Sequence, residues 1–184
     1  MDIRDGMRKV DELIALIETD LPKLAQEVVA NDLVALITNR VTIEGKDSKG
    51  NKFSDYSDKE VAAANFIDKS RTQSANKKVK ELAKAQGALS YKGFRKLNGL
   101  KVDKKNFEFT GGMWQGFGVL RVSGTASDYR ITMGGKTPDV AKKIAENSYA
   151  ENVNIIAPSD KEIEMVKDTL SGWLERQLRR VFGG

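Results

Sequence analysis

The sequence predicts an α+β fold in which several helices pack around a small, mainly antiparallel sheet. Long amphipathic helices are expected near both termini, because apolar residues recur there at three- and four-residue steps. Two segments at 119–123 and 129–133, separated by the plausible hairpin loop at 124–128, predict a pair of strands. The length of 184 residues fits a single domain.

Residues 1–41 form the N-terminal helical segment of that domain. The sequence at 19–22 predicts a break between two helices, with Asp20 as the cap of the second and Pro22 in its first turn. We expect these helices to pack against each other or on a shared core. The apolar stripe of the first helix consists of Ile3, Met7, Val10, Leu13, Ile14 and Ile17. The second helix carries Leu24, Val28, Val29, Leu33, Leu36, Ile37 and Val41.

A polar loop follows over residues 42–57. Asp47 and Gly50 are typical of a turn, because aspartate bonds its own backbone and glycine accepts a positive φ. Ser57 and Glu60 have the spacing of a capping box, which predicts that a short helix follows them.

Residues 58–106 read as a basic insertion of helices and loops. Within it, residues 71–105 carry eleven lysines and arginines against Glu81 and Asp103, a net charge of +9. The remainder of the chain therefore carries −4, since the whole chain carries +5. Apolar residues at 79–83 and 91–97 predict helices in this insertion.

Residues 107–184 hold the strand pair and the C-terminal helix. A short helix at 138–147 and a strand at 153–156 are expected between them. Ser159 and Glu162 form a second capping box, which opens the last helix. The Gly-Gly-Lys-Thr sequence at 134–137 resembles the end of a phosphate-binding loop, but Arg130 stands where that loop needs a glycine. We therefore interpret it as a turn that ends a strand.

The chain contains neither cysteine nor histidine. Disulfides, cysteine–histidine zinc sites and catalysis by a histidine-based triad are thereby excluded. No pair of carboxylates is singled out for catalysis, so we expect no enzyme activity, no metal and no cofactor. The charged sequence at 1–12 does not have the apolar core of a signal peptide, which predicts synthesis and folding in a cytoplasm.

The lysine-rich segment has two interpretations, which the sequence leaves open. It could contact the phosphate backbone of a nucleic acid, directly or by lining a channel, or it could be a solvated face. Few arginines and no aromatic-rich motif accompany it, so base-specific recognition is not expected. The candidate residues are Lys77, Lys78, Lys80, Lys84, Lys92, Arg95, Lys96, Lys101, Lys104 and Lys105.

Two short motifs stand out in this layout. The loop reads Asp-x-x-Gly-x-x-Phe-x-x-Tyr-Ser at 47–57, and the segment at 107–113 reads Phe-x-x-Thr-Gly-x-Met. With the lysine-rich stretch between them and the closing strand pair and helix, the chain resembles the tail-completion and head–tail joining proteins of tailed bacteriophages, also called virion morphogenesis proteins. The resemblance spans roughly residues 30–180. Phe107 stands where these proteins usually carry leucine.

The resemblance implies a structural protein of the virion, assembled in the host cytoplasm. Such a protein would form a ring, a hexamer by this resemblance, that joins the head connector to the tail. Its partners would be itself, other neck and tail proteins (the connector or stopper, and the tail terminator or tail tube) and passing genomic DNA, with no membrane. Candidate subunit-interface residues are Asp47, Gly50, Phe53, Tyr56 and Trp114, although for Trp114 a place in the core is slightly favoured. The alternative is a stand-alone basic nucleic-acid-binding module.

Overall fold

The computed structural model describes residues 2–24, 28–85, 87–108, 110–125 and 128–183. Phe109 of the second motif and the predicted turn residues 126–127 lie outside these ranges. The helices described are α1 (Ile3–Leu24), α2 (Ala30–Asn39), α3 (Gln73–Ala85), α4 (Tyr91–Leu97), α5 (Gly112–Gln115), α6 (Pro138–Glu151) and α7 (Asp160–Phe182). The strands are β1 (Glu60–Ala62), β2 (Ala88–Ser90), β3 (Phe117–Thr125) and β4 (Asp128–Gly135).

The predicted helix break at residues 19–22 is wrong. Helix α1 continues through Pro22 to Leu24. A proline removes only one backbone hydrogen bond, and the remaining bonds of α1 keep the helix continuous at Pro22. Helix α2 then continues into a π-helical turn at Arg40–Glu44, which Gly45 ends in a left-handed conformation with φ 68°.

The short helix predicted after Ser57 is also wrong. Glu60 begins strand β1, which pairs antiparallel with β2, and a 3-10 turn follows at Ala63–Phe66. The Ser57 hydroxyl accepts a hydrogen bond from the Lys59 amide at 3.2 Å, so it closes a local turn and caps no helix. Pairing with β2 supplies the backbone partners that a helix would otherwise provide, and this long-range contact overrides the local signal.

The predicted strand pair is confirmed, and it is longer than the sequence indicated. Strands β3 and β4 pair antiparallel from Phe117 opposite Gly135 to Thr125 opposite Asp128, with an irregularity between Val119 and Arg121. Thr137 then caps α6 by accepting a hydrogen bond from the Val140 amide at 3.3 Å.

The strand predicted at 153–156 is wrong. Asn152 ends α6 with φ 54°, and the segment that follows is a turn. Its single buried anchor is Ile155, which is fully covered in the core. The second capping box is confirmed: the Glu162 amide donates to the Ser159 hydroxyl, and the Ser159 amide donates to the Glu162 carboxylate.

The α+β class is therefore as expected, with long helices at both ends and two small antiparallel sheets among the described residues. One core cluster joins α2, the polar loop, the start of β3, α6 and the turn before α7. Its buried members are Leu33, Ile37, Val41, Phe53, Met113, Phe117, Val140, Ile144 and Ile155.

Candidate functional site

The polar loop is folded on itself by Asp47. One carboxylate oxygen of Asp47 accepts hydrogen bonds from the amides of Lys49 and Asn51 at 2.9 and 2.8 Å, and the other accepts from the Asn51 side chain at 3.2 Å. Burial acts to raise the pKa of Asp47, but these donors outweigh it and the pKa lies below its usual value. Gly50, at the exposed tip, has φ 84°, a conformation that glycine adopts without strain.

The second half of the loop is anchored in the body of the protein. The Phe53 ring meets the Phe107 ring edge-on at 4.8 Å, and Phe53 belongs to the buried core. The Tyr56 hydroxyl donates to the side-chain oxygen of Asn106 at 2.9 Å and accepts from its amide at 3.2 Å. Burial raises the pKa of Tyr56. Asp47, Phe53 and Tyr56, which we expected at a subunit interface, are therefore covered by their own chain, and Gly50 is exposed.

Arg95 and Asn106 form the centre of this region. Arg95 is 1% exposed, and its guanidinium lies 4.0 Å from the centre of the Tyr56 ring. It donates to the backbone oxygens of Lys101 and Glu108 and to the side-chain oxygen of Asn106, at 2.7 to 3.3 Å. Arg95 is therefore outside the exposed basic surface, although the charge pattern included it.

Trp114 faces the same centre. Its indole nitrogen donates to the backbone oxygen of Asn106 at 3.1 Å, and its ring meets Phe117 edge-on at 5.8 Å. The residue is half-buried against the core cluster. The structure thus supports the core interpretation of Trp114, with part of the ring left accessible.

An ion pair closes the region on the side of α6. The Lys105 ammonium lies 2.6 Å from the Glu151 carboxylate, whose side chain is 5% exposed. The Ser54 amide and hydroxyl donate to the same carboxylate at 2.9 and 2.8 Å. Burial acts to raise the pKa of Glu151, but the hydrogen bonds from Lys105 and Ser54 outweigh it, so the pKa lies below its usual value.

A cleft of about 450 Å³ lies between the loop, the basic insertion and α6, and its lining includes Tyr56, Arg95, Lys105 and Glu151. Of its described lining residues only Glu151 carries a carboxylate, and its oxygens are already bonded to Lys105 and Ser54. No group of three or more acidic side chains that could hold a metal is found in the described part of the chain. The cleft thus presents hydroxyls and cations, and it does not bring together a pair of free carboxylates.

The ten basic candidates separate into two groups. Four are occupied within the fold: Lys92 pairs with Asp58 at 3.0 Å, Lys104 donates to the backbone oxygen of Ile43, and Arg95 and Lys105 bond as described. The other six are exposed: Lys77, Lys78, Lys80, Lys84, Lys96 and Lys101. The four on α3 define what we call the α3 basic face: Lys77, Lys78, Lys80 and Lys84.

The α3 basic face carries little compensating charge. Lys80 lies 3.1 Å from the Asp68 carboxylate, an exposed pair, and Glu81 is on the same helix. Among the described residues, Lys77, Lys78 and Lys84 form no ion pair. This face therefore holds four of the six exposed basic candidates, and it is available to an anionic partner.

Nothing in the sequence indicated Asn106, Glu151 or the pairing of Arg40 with Glu162 at 2.9 Å. Asn106 is one of several amide residues in or next to the lysine-rich stretch, and nothing in its neighbours marks it. Glu151 meets its partners 46 and 97 residues away in the chain, a pairing that only long-range packing creates.

No helix in the described ranges is both long and apolar enough to span a bilayer. In the comparisons with known proteins, no family model, no curated protein and no solved structure matches the chain.

Proposed function

We propose that the protein is a structural, non-enzymatic subunit of a tailed-phage virion, of the neck or tail-completion type. It forms a ring, a hexamer by the resemblance, that joins the head connector to the tail. It is assembled in the host cytoplasm and remains in the virion.

The observation that carries this proposal is that the two motifs behind the resemblance meet in space. Phe53 of the first motif contacts Phe107 of the second, and Tyr56 bonds to Asn106, the residue before the second motif. Met113 of the second motif lies in the same buried cluster as Phe53. Two short sequences about 50 residues apart thus form one structural unit. Motifs that fold together as a scaffold suit a protein that works through shape.

A ring subunit needs two different patches that meet head to tail. The exposed tip of the polar loop, at Lys49 and Gly50, is one candidate for such a patch. The α3 basic face is the other, or it faces the lumen, where passing DNA would favour positive charge.

Electron microscopy of the purified protein in negative stain tests the ring. We expect annular particles, and we expect the protein among the components of purified virions of the phage that encodes it. A protein that remains free of rings at high concentration and is absent from virions would refute the proposal.

The α3 basic face also favours a second candidate function, a stand-alone nucleic-acid-binding module. Three of its lysines form no ion pair among the described residues, and their contacts with phosphates would release counterions. Such a module would bind duplex DNA as a monomer, with an affinity that falls steeply as salt increases.

This second function is tested by a titration of duplex DNA at several salt concentrations. The variant replaces Lys77, Lys78, Lys80 and Lys84 by glutamine, and the matched control replaces four exposed lysines elsewhere: Lys23, Lys142, Lys161 and Lys167. The slope of log K against log salt is negative for the wild type. It should become less steep by about 3–4 in the variant and change little in the control. Equal effects of the two sets, or no binding by the wild type, would eliminate it.

A further inference from the structure

The N-terminal helix carries an apolar stripe that its own chain does not cover. Ile3, Met7, Val10 and Ile14 are 81%, 64%, 47% and 48% exposed, and no residue of α1 is fully buried. From the sequence we expected this helix to pack through its stripe against the second helix or on a shared core, and for these four residues that expectation is wrong. Four large aliphatic side chains at these exposures present on the order of a few hundred Å², a size that marks an interaction site.

The spacing of the stripe is that of a coiled-coil seam. The steps from Ile3 to Met7, Val10 and Ile14 are four, three and four residues, which places them alternately at d and a of a heptad. Such a narrow stripe is typical of contact with one other helix. A membrane-surface helix has a broader apolar face and a basic polar face, whereas α1 has no cation between Asp11 and Asp20.

The side of α1 that its own chain uses lies next to this stripe. Gly6, Lys9 and Leu13 are half-buried, and Lys9 retains only 17% of its side-chain exposure. Helix α1 contacts α7 within the chain. The stripe is therefore a second face, and it stays accessible while α1 is packed.

Charge on α1 points to the partner. Residues 3–9 hold three cations against one carboxylate, whereas residues 11–20 hold four carboxylates and no cation. A second α1 in the antiparallel direction would oppose each basic half to an acidic half, and a parallel one would oppose like charges. Arg4 and Asp11 flank the stripe at e positions, are exposed, and form no ion pair within the described residues.

We propose that this stripe binds the same stripe of a second copy of the chain in an antiparallel helix pair. The twofold axis passes between residues 8 and 9. Ile3 then faces Ile14 of the second copy, Met7 faces its Val10, and Arg4 comes within reach of its Asp11. Each contact occurs twice, and only exposed residues are used.

This contact goes beyond the proposed function and does not depend on it. An antiparallel pair is isologous, because both copies use one patch, whereas ring contacts are heterologous. A chain with both contacts would join two rings or pair before ring assembly. With a few hundred Å² on each side, the pair belongs to the weak, reversible class of interface.

Sedimentation equilibrium over a range of concentrations tests the pair. The molecular mass of the wild type should rise reversibly towards twice its value at low concentration, because two copies associate. The Met7→Gln variant should not associate in this way. Met165→Gln is the matched control, because Met165 is an exposed methionine on α7 at 45%. Circular dichroism checks that helix content is unchanged. The inference would be overturned if the wild type did not associate into pairs, or if Met7→Gln and Met165→Gln weakened the association equally.

Charge reversal tests the orientation. Arg4→Glu and Asp11→Arg each place like charges opposite one another twice, so each should weaken the pair about tenfold. The double variant restores opposite charges and should recover wild-type association. Recovery is specific to an antiparallel pair of identical helices, so a double variant weaker than both single variants would contradict it.

Cysteine pairing gives an independent readout, because the chain contains no cysteine. Under mild oxidation, Met7→Cys mixed with Val10→Cys should form a disulfide-linked dimer, and neither variant alone should do so efficiently. Efficient linkage of each variant alone would indicate a parallel pair and would refute the orientation. If doubling and mixed linkage persist in a protein that forms no ring, the proposed function fails and this inference stands. If rings form but the Met7→Gln variant associates as well as the wild type, this inference fails and the proposed function stands.

Discussion

The guanidinium of Arg40 lies 2.9 Å from the carboxylate of Glu162, although 122 residues separate them. Both side chains are buried, at 9% and 7% exposure. Arg40 also donates to the backbone oxygens of Lys46 and Ala157 at 2.9 and 2.7 Å, and Glu162 closes the capping box of α7. One side chain thus links the end of α2, the polar loop and the start of α7.

Replacing Arg40 by methionine should lower the free energy of unfolding by about 3–5 kcal/mol, because it leaves the Glu162 charge buried without a partner. Urea denaturation followed by circular dichroism measures the change. Arg179→Met is the control, since Arg179 is 84% exposed and lies 4.0 Å from Glu175. A surface pair of this kind contributes no more than about 1 kcal/mol. Similar losses in the two variants would show that the buried pair has no special role.

Glu151 should make stability depend on pH. Its pKa is lower in the folded protein than the ordinary value of 4.5, because the donors Lys105 and Ser54 outweigh the effect of burial. A carboxyl group of this kind contributes stability that is present above pH 4.5 and is lost as pH falls through the folded pKa.

Glu151→Gln should therefore cost about 2 kcal/mol at neutral pH, and the difference from the wild type should shrink in acid. Denaturant titrations from neutral to acidic pH measure it. Glu146→Gln is the control, because Glu146 is 64% exposed and lies 3.9 Å from Lys142. A difference between Glu151→Gln and the wild type that stays constant with pH would contradict the assignment.

Tyr56→Phe tests the bonds between the loop and Asn106. Loss of the hydroxyl leaves a buried amide of Asn106 without its acceptor, so we expect the free energy of unfolding to fall by about 1–3 kcal/mol. Tyr149→Phe should have almost no effect, since Tyr149 is 90% exposed. Thermal or urea unfolding compares the two, and an unchanged Tyr56→Phe protein would mean that the loop does not depend on this bond.

Gly135 lies where β4 packs closely against α6. A Cβ at Gly135 would stand 2.3 Å from the backbone nitrogen of Ala141, whereas a Cβ at Gly118 would meet only the end of the flexible Lys136 side chain. Gly135→Ala should therefore destabilise the protein by about 3 kcal/mol, and Gly118→Ala by much less, because backbone cannot move aside as a side chain does. Urea denaturation of both variants measures the free energy of unfolding. Equal values for the two would contradict the close packing at Gly135.

Elements whose signals are local could be predicted from sequence. The capping box at Ser159, the β3–β4 hairpin and the helical spacing around Val79 all depend on residues near one another in the chain. The predictions that proved wrong are those for segments whose structure depends on contacts with residues far away in the chain. Ser57 has the same cap signal as Ser159, but its segment pairs with β2, and the apolar residues at 153–156 provide one buried anchor at Ile155 and no strand.

The candidate site could be predicted only in part, for the same reason. The turn chemistry of Asp47 and Gly50 was readable, since both act within a few residues. The burial of Arg95 on Tyr56 was not, because a guanidinium in a lysine-rich stretch resembles its solvated neighbours until Asn106 and Glu108 fold around it.

The absence of cysteine and histidine, the concentration of charge at 71–105 and the four-three spacing of apolar residues on α1 are properties of the chain itself. They limit the available chemistry and the shape of each helix before any packing occurs. Packing then separated the lysines of α3, which remain in solvent, from Arg95 and Lys105, which are held inside. It also left the stripe from Ile3 to Ile14 uncovered. Burial depends on which distant segments meet, and periodicity describes only the face that a helix offers.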